Sequence, residues 1–130
     1  MGEKSNVKYA ERGTRTLQPL VVCLCGSTKF KAEYEAANRN ETLHGNIVLS
    51  VGLFGHIEGL DMDSETKQML DQLHLRKIDL ADEIFVVNPN GYIGASTSRE
   101  IAYAENAGKP VRFLEAHNDT CDLRGRKTDG

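Results

Sequence analysis

Six apolar residues in a row, Leu20-Val21-Val22-Cys23-Leu24-Cys25, run directly into Gly26-Ser27-Thr28. A strand with one wet face alternates apolar and polar side chains; a strand covered on both faces has no reason to alternate. The run therefore calls for helices above and below it, and the glycine that closes it turns the chain into the first of them. Phe30, Tyr34 and Ala37 share one face of that helical segment, and Gly45 ends it as a C-cap. A second strand follows at Asn46-Ile47-Val48-Leu49-Ser50-Val51. Residues 52–62 hold three glycines and read as a long loop, and Asp63 or Ser64 opens a helix running to about Asp82. Glu83-Ile84-Phe85-Val86-Val87-Asn88 is a third strand, and Pro89-Asn90-Gly91 is a turn. A helix over residues 97–107 stops at Gly108-Lys109-Pro110, and Val111-Arg112-Phe113-Leu114 is a fourth strand.

Strand and helix alternate throughout, so the expected class is α/β. The specific expectation is a small doubly wound parallel sheet, flavodoxin-like or Rossmann-like, with strand order 2-1-3-4 and helices on both faces. With 130 residues, 39% hydrophobic and 27% charged, the chain has material for one core. Residues 1–18 read as a flexible N-terminal arm, 19–115 as the single domain and 116–130 as a polar C-terminal tail. A net charge of −3 without a basic run argues against nucleic acid as a partner. No apolar stretch reaches the roughly 18 residues that span a bilayer, and the opening residues lack the apolar centre of a secretory signal. The expectation is a cytoplasmic protein without a membrane partner.

Cys23 and Cys25 are two apart on a strand, so they share a face with no loop between them to close a bridge. They read as buried reduced thiols. No metal is expected, because Cys-x-Cys offers too few ligands and no second Cys/His cluster follows at finger-like spacing.

In open parallel sheets ligands bind beyond the carboxyl ends of the strands, where strand order reverses. Three glycine-containing loops leave those ends. The first, Gly26-Ser27-Thr28-Lys29, is neither a dinucleotide fingerprint nor a P-loop. It reads either as an ordinary strand-to-helix turn or as a site where Ser27, backbone amides and nearby Lys29 meet a sugar or phosphate. The second loop carries Phe54 and His56, which with Tyr92 of the third either face a ligand, as base-stacking residues if the resemblance given below holds, or simply pack. The third runs from Asn88 through Tyr92 and Gly94 to Ser96-Thr97-Ser98, whose hydroxyls and amides form a candidate phosphate cradle. Thr97 and Glu100 have capping-box spacing, so Glu100 either folds back on the Thr97 amide or faces the cleft as a nucleophile kept ionised by the helix dipole. On the central helix Met69, Leu70, Leu73, Ile78, Leu80 and Ala81 define one broad apolar arc at ~100° per residue. His74 lies within it as a core histidine or a catalyst, Lys77 is expected to snorkel outward, and Asp79 to face solvent.

Three segments together resemble the nucleoside 2-deoxyribosyltransferase-like superfamily, which includes nucleoside deoxyribosyltransferases and nucleoside 5′-monophosphate N-glycosidases. They are Cys25-Gly26-Ser27, Asp79-Leu80-Ala81-Asp82-Glu83 and Gly94-x-Ser96-x-x-x-Glu100-Ile101-x-Tyr103-Ala104, within residues 20–114. The resemblance implies retaining cleavage of an N-glycosidic bond without a cofactor, with Glu100 as the nucleophile and water or a second base as the acceptor. The family's leaving-group aspartate falls near His74 here, with Asp71 one turn earlier. A homodimer or higher oligomer is also implied. The alternative is a non-catalytic nucleotide-sensing module using the same pocket; a flavin-binding redox protein is a third reading, weakened by the first loop.

Overall fold

The computed structural model describes residues 18–55, 59 and 61–116. Apart from Gln18 and Ala116, both expected arms lie outside the described residues, as do His56 and Cys121. Four strands form one parallel sheet: β1 (Val21–Gly26), β2 (Ile47–Leu49), β3 (Glu83–Val87) and β4 (Val111–Phe113). Their spatial order is β2-β1-β3-β4, the order expected above. Three long helices connect them: α1 (Lys31–Leu43), α2 (Ser64–Leu80) and α3 (Ala95–Asn106).

The period of two along β1 divides the core. Cys23 and Cys25 point to one side, where Ile78 and Ala81 at the end of α2 and Ala104 of α3 cover them. Val22 and Leu24 point to the other, against Tyr34 and Ala37 of α1. β3 divides likewise, with Ile84 and Val86 on the first side and Val87 on the second. Helices thus cover both faces, and fully buried side chains such as Leu24 and Ile78 each contribute about 1.5–3 kcal/mol. No helix among the described residues is long and apolar enough to cross a membrane.

The helix ends are built locally. Asp63 caps α2 by accepting the Thr66 amide at 2.7 Å. At the other end Lys109 Nζ donates to the carbonyls of Ile78, Asp79 and Ala81 at 3.1, 2.9 and 2.7 Å. Asp79 faces outward as expected, where it accepts from Tyr103 Oη of α3 and from Arg76.

Only part of the expected apolar arc of α2 is covered. Ile78 is buried and Leu70 half-buried, but Met69, Leu73 and Leu80 are 50%, 48% and 72% exposed. A four-stranded sheet whose face α2 shares with α3 covers a narrow stripe, and that stripe follows positions 70, 74 and 78 with 71 and 75 beside them. His74 falls inside it. The strands are also shorter than the apolar runs, with β2 reduced to Ile47–Leu49.

Candidate active site

The strand order reverses between β1 and β3, and their carboxyl ends lie side by side, Gly26 opposite Val87. Gly26 has φ +149°, and a Cβ there would stand 2.6 Å from the Val87 carbonyl oxygen, so this close approach requires glycine. Tyr34 Oη locks the turn by donating to the Gly26 carbonyl at 2.8 Å. Ser27 Oγ accepts the Lys29 amide at 3.3 Å.

A cleft of about 860 Å³ opens above this point. Its floor and one wall come from Gly26, Ser27 and Thr28; α2 contributes Asp71, His74 and Lys77. The start of α3 contributes Gly94, Ser96, Thr97 and Glu100, and Tyr92 stands at the edge. A groove of about 480 Å³ between α2 and α3 adjoins it, and Asp71, Ser96 and Glu100 line both.

The capping box does not form. α3 begins at Ala95 with Gly94 as its N-cap and no side chain bonded to the cap amides. Thr97 is therefore inside the helix and buried, and Glu100 is one turn deeper than a capping carboxylate. Its side chain is 15% exposed, with Oε1 3.9 Å from His74 Nε2. The same His74 nitrogen lies 3.5 Å from Cys25 Sγ and 3.7 Å from Cys23 Sγ. A carboxylate, an imidazole and two free thiols thus meet at the bottom of the cleft.

Their electrostatics are mutual. Burial pushes the Glu100 carboxyl above its ordinary value, and His74 pulls it only part of the way back. At this position desolvation works against the helix dipole that favours the carboxylate. Burial opposes the His74 imidazolium, but the Cys23 thiol and the charge of Glu100 prevail, and its pKa is raised. A hydrogen bond from Cys25 brings Cys23 down to about 6 against its own burial, with His74 assisting. Cys25, the donor in that bond and itself buried, is pushed up.

Several other sequence candidates have different occupations. Asn88 is buried and exchanges two hydrogen bonds with the backbone of Glu115, at 2.9 and 3.3 Å, pinning the chain after β4. Phe54 packs edge-on against Tyr34, with ring centroids 5.4 Å apart, and belongs to the α1-side core. Lys29 Nζ sits 3.9 Å from the Tyr92 ring centroid, a cation–π contact, and is not on the cleft wall. Ser98 is exposed on the outer side of α3. Lys77 does not snorkel: its Nζ donates to the Ser50 carbonyl at 2.7 Å beside the cleft.

Sequence reasoning missed the convergence of Cys23 and Cys25 with His74, because the pairs are 51 and 49 positions apart. The available signal was parity: both cysteines occupy the β1 face that also receives the inner stripe of α2. No protein-family model matches this chain, and no curated protein matches it.

Proposed function

We propose that the protein cleaves the N-glycosidic bond of a nucleoside or nucleoside 5′-monophosphate in a retaining, two-step reaction. Glu100 attacks the anomeric carbon as the bond to the base breaks, and the resulting glycosyl ester is released by water or by a second base. The observation that carries this reading is the placement of Glu100: freed from capping, half-buried, and turned into a nucleotide-sized cleft at the switch point. α3 opens with a glycine cap, and Ala95, Ser96 and Thr97 line the cleft without a capping side chain, so their amides suit a 5′-phosphate. Tyr92, 45% exposed at the rim, offers a face for the base. The resemblance in Cys25-Gly26-Ser27 and Gly94-x-Ser96-x-x-x-Glu100 leads to the same chemistry.

A nucleotide-sensing module that uses the same cleft is the second reading. Incubation with ribonucleoside and deoxyribonucleoside monophosphates, followed by chromatography for free base, separates the two. Turnover is expected to fall by about 10⁴-fold or more in Glu100→Gln, with a sugar adduct visible by intact mass spectrometry only when Glu100 is present. Base release that survives Glu100→Ala would rule out the mechanism; binding without release supports the sensor.

The resemblance also implies a second copy as partner. The exposed stripe of Met69, Leu73 and Leu80 beside the cleft is the face such a copy would cover. Light scattering should then show a dimer or larger species that Leu73→Lys dissociates, and a monomeric wild-type chain would remove this element of the reading.

A further inference from the structure

Cys23, Cys25 and His74 bring two sulfurs and one imidazole nitrogen within 4.8 Å of one another. All three residues are buried, and His74 and Glu100 form the side of the cluster that faces the cleft. Two thiolates and an imidazole are ligands for thiophilic ions and supply three of the four positions that tetrahedral zinc takes. Ideal tetrahedral zinc, with Zn–S near 2.3 Å and Zn–N near 2.0–2.1 Å, places sulfur and nitrogen about 3.5 Å apart. The two sulfur–nitrogen separations here are 3.5 and 3.7 Å. The two sulfurs lie within 4.8 Å of each other against about 3.8 Å in an ideal tetrahedral site, so an ion fits among these atoms once the thiols close by up to about 1 Å.

We propose that Cys23, Cys25 and His74 bind a thiophilic divalent cation of the zinc type, and that Glu100 supplies the fourth ligand. Glu100 Oε1 is 3.9 Å from His74 Nε2, about 0.6 Å beyond the ideal nitrogen–oxygen edge of such a site, and it stands outside the group of atoms within 4.8 Å of one another, so its side chain must swing by about an ångström or more toward the sulfurs to complete the tetrahedron. Binding forms two metal–sulfur bonds, one metal–nitrogen bond and one metal–oxygen bond, and the protons of neutral thiols pass to solvent; no electron changes hands. The site lies at the bottom of the cleft, so its occupancy is coupled to whatever the cleft does. If the N-glycosidase reading holds, on which this one consequence rests, the loaded form withdraws Glu100 from the sugar and is inactive.

The test uses the full chain, stripped with a chelator and titrated with Zn²⁺ by calorimetry and with Co²⁺ by absorbance, in the absence of substrate. One equivalent is expected, with the intense thiolate-to-cobalt charge-transfer band of a tetrahedral site. The band should vanish in Cys25→Ser and in His74→Ala, persist in Cys121→Ser, and persist in Glu100→Gln with affinity lowered by roughly tenfold or more. Circular dichroism shows whether each variant keeps the fold; if the core substitutions unfold it, cobalt spectra of the wild-type chain with and without thiol alkylation give the same answer. No stoichiometric binding, or a band unchanged in Cys25→Ser, would overturn the site; Glu100→Gln binding as tightly as wild type would overturn the fourth ligand. The two proposals fail separately, because base release is assayed on the chelated protein and metal binding without nucleotide. Zinc that binds stoichiometrically while base release continues unchanged would refute the inhibitory consequence alone.

Discussion

Asp71 and His74 stand one turn apart on α2, and their surroundings separate what each can do. His74 is buried, with Nε2 facing two thiols and Glu100, an arrangement that orients the carboxylate and leaves it little freedom to reach a base. Asp71 is half-buried and faces both the cleft and the groove beside it. In the N-glycosidase reading Asp71 is therefore the group that protonates or hydrogen-bonds the leaving base. Asp71→Asn is expected to lower kcat by about 10²–10⁴-fold with an ordinary purine nucleotide. With a substrate whose base already carries a positive charge, such as an N7-methylated purine, the loss should nearly disappear, because that base leaves without a proton. Equal losses on both substrates would assign Asp71 to binding instead.

At the scale of elements, the two ends of the central helix matter most. At the C-terminal end of α2 the Ile78 carbonyl already accepts the Ala81 amide at 3.0 Å, and Lys109, arriving from the turn before β4, donates to the carbonyls of Ile78, Asp79 and Ala81 with one ammonium group. Lys109→Met is expected to cost about 1–2 kcal/mol, seen as a lower urea midpoint with an unchanged slope. A slope that changes instead would mean that α2 and β4 no longer unfold together. The start of α3 obeys a different constraint. Residues Ser96-Thr97-Ser98 have the composition of an N-cap, yet the helix begins at Ala95, because burying Thr97 and seating Glu100 against β1 sets its register. Gly94 fits the same place: a Cβ there would lie 3.3 Å from Tyr92 Oη, so the glycine leaves room for the aromatic ring at the rim.

Across the whole molecule, the end of the sheet away from the cleft is held by charge. Arg112 of β4 donates to both carboxylate oxygens of Glu41 on α1, at 3.1 and 3.0 Å, and to Glu83 at the start of β3 at 2.8 Å. Burial works to raise the Glu41 carboxyl, but the hydrogen bonds from Arg112 and Asn46 overcome it and hold the group below its ordinary value of 4.5. A depressed carboxyl stabilises the fold above its unfolded pKa, and that contribution is lost as pH falls through the folded value. The stability difference between wild type and Glu41→Gln should therefore be full at neutral pH and close progressively below about pH 4. Urea midpoints across that range check it; a difference that stays constant would show that the network acts through packing alone. Because Glu41 and the cleft are at opposite ends of the strands, base release should be insensitive to this substitution while the protein remains folded.

Hydrophobic period and turn chemistry are local properties, and they determined the class, the helix on each face and the loops that bound the cleft, while the strand order they led one to expect was fixed by the packed sheet. The continuous apolar run of β1 could be satisfied in no other way than by cover on both sides. What each side chain does inside that frame was decided only by packing. Which stripe of α2 is buried depends on the narrow width of a sheet that α2 shares with α3, so Met69 and Leu73 remain in solvent while His74 goes in. Phe54 and Asn88 had the composition of binding residues but found core and backbone partners. Cys23, Cys25, His74 and Glu100 come from three different elements, and their meeting depends on distances across the fold that no spacing along the chain encodes.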